Sequence, residues 1–254
     1  MSTTNVLRKH VAIIHLYSKM NILQRKIFNV LLHHALDQQL NSEFIDSIAV
    51  ECVMPFSRLI KAVNFNSNNT QYIKESIDGL ASLLIEWNLL KDKVPSNISF
   101  LNLRALHGSP TFFQDGSFNF SFHKFMLEFV RSPEVYGTID IDLQSKFESK
   151  YGHALYENST RFLNMQKSRV IPLATFRKIL GVSDEKYACM REFTRNVINP
   201  AVEEVNDRAQ FTVKIQPLKL GKKITSYELT VDSKNRNSLK NKNAVNDESQ
   251  SLVK

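Results

Sequence analysis

The first half of the chain contains apolar residues at helix spacing and then at strand spacing. Asn21 followed by ILQRKIFNVLLHHALDQ predicts a capped helix whose apolar positions spread round most of its circumference, so we expect it to be buried on two sides. A short strand, IAVECV, and a short helix, FSRLIKAV, come next, before a helix predicted from Thr70 to Trp87. Two strand candidates follow, ISFLNLRAL and FNFSF. Helices followed by a β-hairpin are the order of a winged-helix unit.

The same order of elements returns in the second half. TIDID predicts a short strand and SKFESKYGHALYENSTRFLN one or two helices. VIPLATFRKILG predicts a strand and a short helix with Gly181 at its C′ position. Ser183 or Asp184 is expected to cap the next helix, and a hairpin is predicted over Phe211–Val231. The pattern therefore predicts an α+β fold of two tandem winged-helix domains.

The domain boundaries follow from the turn formers and from the apolar content. Pro133, within RSPEVYG, is the expected boundary, which gives an N-terminal domain at 1–132 and a C-terminal domain at 133–232. Residues 233–254 have a low apolar content and are predicted to form a disordered basic tail.

The helix predicted over Lys186–Asn206 carries cations on its outer side. At 100° per residue, the inward face consists of Met190, Phe193, Val197 and Ala201. The opposite face consists of Ala188, Arg191, Arg195 and Asn199. Arginine reads guanine edges and phosphates, and asparagine can read adenine. A solvated helix face is the plainer interpretation of two arginines. Asn199-Pro200 is expected to interrupt or kink the helix.

The neighbouring elements favour nucleic-acid binding over a merely solvated face. A short helix, a tight turn and an amphipathic helix make a helix-turn-helix, whose second helix enters the major groove. The predicted hairpin bends at Gly221 and carries four lysines, namely Lys214, Lys219, Lys222 and Lys223. Lysines on such a wing reach phosphates, although lysines on an edge strand also prevent aggregation.

The Thr70–Trp87 helix of the first unit provides an internal comparison. Its predicted inward face consists of Ile73, Ile77, Leu80 and Leu84. Its outer face has one lysine against two acidic residues, and such a face is poorly suited to bind in a DNA groove. We therefore expect the second winged helix to make most of the specific DNA contacts.

Composition and charge agree with this division. The 254 residues carry a formal net charge of +8 and a pI near 9.4. Residues 1–130 have 12 basic and 10 acidic side chains, whereas residues 161–223 have 13 basic and 6 acidic. A basic balance indicates an anionic partner. Without a long apolar run or a signal peptide, a cytoplasmic protein with no membrane association is expected. A single disulfide between Cys52 and Cys189 is possible in principle, but in a reducing compartment both are expected to be buried free thiols.

Three stretches resemble the initiator Rep proteins of iteron-containing bacterial plasmids, and the resemblance covers roughly Arg8 to Val231. They are LRKHVAIIHLYSKMNILQRKIFNVLLHHA, KYGHALYENSTRFL and LATFRKILGVSDEKYACMREFTRNVINPAVEEVN with its hairpin. The resemblance implies two winged-helix domains with pseudo-two-fold internal symmetry. It implies monomers that bind double-stranded DNA at repeated origin sequences (iterons), help to open the origin and recruit the host replication initiator and helicase. It also implies homodimers, formed through the N-terminal domain, that bind an inverted operator and repress the rep gene.

The resemblance also assigns DNA-binding residues. Lys186, Arg191, Thr194, Arg195 and Asn196 fall on the family's recognition helix, and Lys219, Lys222 and Lys223 on its wing. Asn199 from the outer face, and Arg169 and Lys178 from the basic region, complete the predicted set.

Other functions have weaker support in the sequence. A winged-helix transcriptional repressor without initiator activity remains the alternative, since repression belongs to the initiator's own activities. An RNA-binding protein or a nicking enzyme is the third hypothesis; the latter would need a catalytic tyrosine beside a His-hydrophobic-His metal motif, which the sequence lacks. Gly221-Lys222-Lys223 lacks the remaining residues of a P-loop. We therefore expect a protein that is not an enzyme and needs no cofactor or metal.

Overall fold

The first half of the molecule contains five helices and six strands among the residues described. The computed structural model describes residues 5–15, 18–39, 48–86, 90, 103–131, 136–163, 165, 168–183 and 185–234. The elements are β1 (Val6–His10), α1 (Val11–Ile14), α2 (Ile22–Gln39), β2 (Ala49–Pro55), α3 (Phe56–Ala62), α4 (Thr70–Ser82), β3 (Leu84–Ile85), β4 (Leu103–Arg104), β5 (Thr111–Phe112), β6 (Ser117–His123) and α5 (Lys124–Arg131).

The second half continues the series with fewer strands. The elements are β7 (Tyr136–Asp140), α6 (Ile141–Gln144), α7 (Lys150–Thr160), β8 (Arg169–Pro172), α8 (Leu173–Ile179), α9 (Met190–Phe193), a π-helical segment (Thr194–Ile198), α10 (Asn199–Arg208), β9 (Phe211–Leu220) and β10 (Lys223–Ser233). Among the described residues, no helix is both long and apolar enough to cross a membrane.

The two halves share one sheet topology, which confirms the predicted pair of winged helices. The first three-stranded sheet has the order β2-β6-β5 and the second the order β8-β10-β9. In each sheet the strand before the helix pair is hydrogen-bonded to the last strand of the hairpin. The equivalent strands β1 and β7 pair antiparallel, from Val6 opposite Asp140 to His10 opposite Tyr136. This pairing relates the halves by an approximate two-fold axis.

Helix α2 lies between the two halves, as its all-round apolar pattern predicts. Asn21 and Gln24 form a reciprocal cap: the Gln24 amide donates to Asn21 Oδ1 (2.8 Å), and the Asn21 amide donates to Gln24 Oε1 (3.1 Å). Ile27, Leu31 and Leu32 are fully buried. Ile27 and Leu31 lie on the same side of the helix, whereas Leu32 lies about 140° away from Ile27, so α2 contributes to the packing of both halves.

A buried polar network joins α2 and β1 to α7. Lys9 Nζ lies 3.1 Å from Glu157 Oε1, Arg25 Nη1 lies 3.7 Å from Glu157 Oε2, and Asn29 donates a hydrogen bond to the same carboxylate. Burial by itself would raise the pKa of Glu157. The neighbouring cations, Lys9 first among them, outweigh burial and lower this pKa to about 2. The carboxylate is therefore ionised inside the contact between the halves.

The helix that begins at Thr70 is shorter than the sequence predicts. It ends at Ser82, and Leu84–Ile85 forms a strand instead. Leu84, expected to face the core, is 57% exposed, because successive side chains of a strand point to opposite faces. The other three predicted core residues, Ile73, Ile77 and Leu80, are buried. Trp87 and most of ISFLNLRAL lie outside the described residues.

The two cysteines occupy different environments. Cys52 is buried within β2, and burial raises its pKa to about 11. Cys189 is exposed at the N-cap position of α9. The expectation of two buried thiols is therefore wrong for Cys189, which precedes the helix in an exposed turn. The expected boundary at Pro133 lies outside the described residues, and so does the predicted tail of 233–254 except for its first two residues, of which Ser233 ends β10.

Candidate nucleic-acid interface

The helix-turn-helix begins with α8 and its glycine cap. Gly181 has φ +71°, and its amide donates to the Lys178 carbonyl at 2.8 Å. Glycine adopts this left-handed conformation without steric cost, so the predicted C′ glycine is confirmed. An added Cβ at Gly181 would lie 2.9 Å from Arg25 Nη2. The turn therefore packs closely against α2 of the first half.

The second helix starts later than the sequence predicts. Helix α9 begins at Met190, with Cys189 and no side-chain hydrogen bond at its N-cap. The Ser183 carbonyl instead accepts a hydrogen bond from the Lys186 amide, and Tyr187 has φ +54°. The prediction of Ser183 as the cap is therefore wrong, because these residues form an exposed turn rather than the first turn of a helix. Asp184 lies outside the described residues.

Arg177 organises this turn, and it is not among the residues predicted from the sequence. Its guanidinium donates to the carbonyls of Tyr187 (3.1 Å), Ser183 (3.2 Å) and Lys186, and it lies 4.8 Å from the centre of the Phe193 ring. Arg177 is only 8% exposed. Its spacing from Leu173 places it on the inward face of α8, and this is the signal that could have identified it. One buried cation thus fixes the turn to the next helix.

The outer helix, as we call the continuous helical stretch of residues 190–208, buries the predicted face. Phe193, Val197 and Ala201 are fully buried, and Met190 packs at the edge of the core. The amide of Asn199 donates to the Thr194 carbonyl, five residues earlier, which is a π-helical bond. Pro200 cannot donate a backbone hydrogen bond. The predicted interruption is therefore a widened turn within a continuous helix.

The opposite face of the outer helix is exposed, as predicted. Arg191, Arg195, Asn196 and Asn199 are exposed, Thr194 is half-buried, and Lys186 is exposed in the preceding turn. Arg195 Nε lies 3.3 Å from Asn196 Oδ1. Within the described part of the chain, neither Arg191 nor Arg195 forms a salt bridge with a carboxylate. Both guanidinium groups can therefore bind an external anion without first breaking an ion pair.

The wing, defined as the β9–β10 hairpin, carries the predicted lysines. Lys219, Lys222 and Lys223 are exposed around the turn, and Lys214 is exposed further down β9. Gly221 has φ +63°, and Leu220 pairs with Lys223 across a two-residue turn. Glycine at the first central position is what a type II′ hairpin turn requires.

Arg169 and Lys178 differ from the other predicted DNA-binding residues. Arg169 Nη2 donates to the Leu90 carbonyl at 3.4 Å. Lys178 Nζ lies 3.0 Å from a Glu86 carboxylate oxygen. Both partners belong to the first half of the chain. In this structure the two cations connect the halves and are not part of the exposed arginine face.

The equivalent surface of the first half has fewer available cations. Lys74, on the outer side of α4, lies 5.0 Å from the centre of the Phe112 ring and 5.8 Å from that of Phe56. The acidic Glu75 and Asp78 are exposed beside it. The charge contrast expected between the two units is therefore present on the surface.

The fold and this surface define a tandem winged-helix protein whose second unit exposes a basic helix and a basic wing. The family model described as "Initiator Replication protein, WH1" matches residues 6–160. The model described as "Initiator Rep protein, WH2" matches residues 172–231. The chain belongs to the initiator replication protein family.

One solved structure shows the same fold, and a second is more distantly similar. A crystal structure of the Pi initiator protein in complex with iteron DNA superposes with a TM-score of 0.61 at 14% sequence identity, covering 90% of this chain and 97% of that one. A structure of domains 2 and 3 of RctB gives a TM-score of 0.46 at 11% identity, covering 84% of this chain and 82% of that one. No curated protein sequence matches significantly.

Proposed function

We propose that this protein is a plasmid replication initiator that binds iterons at the origin as a monomer. The observation that carries the proposal is the exposed Arg191–Arg195 pair on the outer helix, next to a lysine-rich wing, in a chain of the initiator family. The Pi initiator, which shares the fold, was crystallised with iteron DNA. On this basis the outer helix enters the major groove.

The residues divide into base readers and phosphate contacts. Arg191, Arg195 and Asn199 have the donors and acceptors needed to read base edges. Lys186, Lys219, Lys222 and Lys223 are exposed point charges, suited to phosphates on either side of the site. Thr194 and Asn196 lie between the readers and complete the contact face. Arg169 and Lys178 stand outside this set because of their observed partners in the first half.

The proposal extends to opening of the origin, recruitment of the host replication initiator and helicase, and autorepression by a homodimer formed through the N-terminal domain. Direct repeats need two readers in head-to-tail order, whereas an inverted operator needs them related by a two-fold axis. The dimer must therefore dissociate or change shape before it binds iterons. A change of angle near residues 133–142 would couple the two states, and limited proteolysis of dimer and DNA-bound monomer should then differ there.

The protein acts by binding, without catalysis or a cofactor, in the cytoplasm. Among the described residues, no group of three or more His, Cys, Asp or Glu side chains could hold a metal ion. A repressor without initiator activity is the second candidate, because a winged helix that binds an operator needs the same face.

A titration onto the DNA flanking the protein's own gene tests the proposal. Scrambled duplex and RNA of equal length serve as controls over a salt series. Stepwise, sequence-selective complexes on repeated sites are expected, with a log–log salt slope of about −0.9 for each phosphate contact. A single complex at one inverted site would favour the repressor. Equal binding to all three polymers would refute sequence-specific recognition by the outer helix.

A further inference from the structure

The end of the wing exposes a leucine. Leu220 is 79% exposed, more than any other large hydrophobic side chain among the described residues. It lies directly before the turn and pairs with Lys223 on the adjacent strand. Paired residues of a hairpin share a face, so an apolar side chain and an ammonium group project together from the tip.

The tip extends beyond the body of the second domain. Strand β8 pairs with β10 only from Ser226 to Leu229, so nearer the turn β9 and β10 have each other as sheet partners. The register shifts between Ile224 and Ser226, where the hairpin leaves the three-stranded sheet. Such a bulge bends a strand and re-aims the residues beyond it. Three residues of β10 plus the turn give a projection of about 10 Å.

The charge around Leu220 indicates what the tip contacts. From Lys214 to Ser226 the wing contains four lysines and no acidic residue. Lys219, Lys222 and Lys223 surround the leucine, and all three are exposed. A partner that attracts these cations and also accepts an apolar side chain has an anionic exterior and an apolar interior. Duplex DNA has both, in its phosphates and its stacked bases.

The first domain provides a comparison within the same chain. Its β5–β6 hairpin also exposes an apolar residue, Phe113, which is 45% exposed. Asp115 occupies the turn of that hairpin, where its side chain accepts hydrogen bonds from Ser117. An acidic turn is repelled by phosphates. The combination of exposed apolar residue and cations therefore occurs in the second wing and not in the first.

We infer that Leu220 is a wedge that enters the minor groove beside the site read by the outer helix and partly unstacks one base step. This inference rests on the proposed DNA-binding function. The minor groove is about 7.5 Å deep, which a tip of this length can reach. Leucine side chains inserted between base steps unstack them and bend the duplex towards the major groove. The lysines contact the phosphates of the two DNA strands that border the groove, and the leucine unstacks the base step.

The test uses the full-length protein on duplexes that carry the repeats flanking its gene. 2-Aminopurine is placed at successive positions beside the repeat to report unstacking, and a dye at each end reports bending by energy transfer. Leu220→Ala is compared with wild type and with Phe113→Ala as the matched control. All measurements are made at saturating protein, so that weaker binding cannot imitate loss of distortion. Because Leu220 is exposed, its replacement should leave thermal unfolding unchanged.

Wild type and Phe113→Ala should raise 2-aminopurine fluorescence at one step and shorten the end-to-end distance. Leu220→Ala should bind the same site and lose both signals, and Leu220→Met should retain them. Equal fluorescence and end-to-end distance with Leu220→Ala and wild type would overturn the wedge and leave the proposed DNA-binding function standing. Failure of wild type to prefer the repeats over scrambled DNA would overturn the proposed function as well. Leucine-dependent binding to phosphatidylglycerol vesicles, with unchanged DNA signals, would assign the tip to a membrane surface instead.

Discussion

Lys9 Nζ lies 3.1 Å from Glu157 Oε1, and the two side chains are 1% and 3% exposed. The two residues are 148 positions apart, and the pair joins β1 of the first half to α7 of the second. A buried ion pair contributes little net stability relative to apolar residues, but the loss of one partner leaves an uncompensated charge. The pair therefore makes stability sensitive to any change on either side.

Replacement of Glu157 by glutamine should lower the free energy of unfolding by about 3–5 kcal/mol, because Lys9 and Arg25 would remain buried without a counter-charge. Urea denaturation measures the change. Glu148→Gln is the control, since the Glu148 carboxylate pairs with Arg208 but is 84% exposed, and an exposed pair contributes at most about 1 kcal/mol. Similar urea midpoints for Glu157→Gln and Glu148→Gln would show that the buried network does not contribute more to the free energy of unfolding than an exposed ion pair does.

Acidification should destabilise the protein through His153. Burial, the largest cause, lowers the pKa of His153 from 6.5 to about 4. Between these values the unfolded chain binds more protons than the folded one, so the free energy of unfolding rises with pH through this window. The contribution of His153 reaches its full size above pH 6.5. The loss in the free energy of unfolding when His153 must be protonated is up to about 3 kcal/mol. Denaturation from pH 7 to pH 4 should therefore give a flatter profile for His153→Gln, and an unchanged profile would contradict this assignment.

Arg177→Lys should lower stability by about 1–3 kcal/mol, because one ammonium cannot replace the guanidinium at three carbonyl groups. Binding to iteron DNA should weaken as the turn before the outer helix loosens. The salt slope should stay unchanged, since Arg177 is buried and touches no phosphate. Arg104→Lys is the control, because Arg104 is exposed and donates to one carbonyl, that of Ala81. A reduced salt slope for Arg177→Lys would mean that the residue contacts DNA itself.

Arg195→Ala should cost about 1–3 kcal/mol of binding and relax the preference at one base pair. Lys222→Ala should weaken binding to all sequences alike and reduce the salt slope by about 0.9. Selection from randomised duplexes, followed by a salt titration, separates the two behaviours. A uniform loss for Arg195→Ala would make Arg195 a phosphate contact.

Lys178→Gln should leave the salt slope of DNA binding unchanged, because the Lys178 ammonium is paired with Glu86. Lys219→Gln, an equivalent change on the exposed wing, should reduce the slope by about 0.9. The two titrations are run on the same duplex. If Lys178→Gln reduces the slope as much as Lys219→Gln does, the bridge to Glu86 opens when DNA binds.

Features that depend only on residues close together in the chain could be predicted from the amino-acid sequence. The exposed series of Arg191, Arg195 and Asn199 followed from helix period alone, because residues three or four apart share a face whatever the rest of the chain does. The helix cap at Asn21 and the C′ glycine at Gly181 could be predicted for the same reason, because each involves a hydrogen bond to a residue three positions away.

The contacts between polar groups that are distant in the chain depend on the folded structure and could not be predicted from the sequence. The contacts of Glu157 with Lys9 and of Lys178 with Glu86 join residues 148 and 92 positions apart. No local period encodes such a pair, so Lys178 looked like one more cation of a basic region. The late start of the outer helix at Met190 has the same origin, since Arg177 draws the backbone carbonyls before it into a turn. A side chain from another element thus overrides the local helix preference.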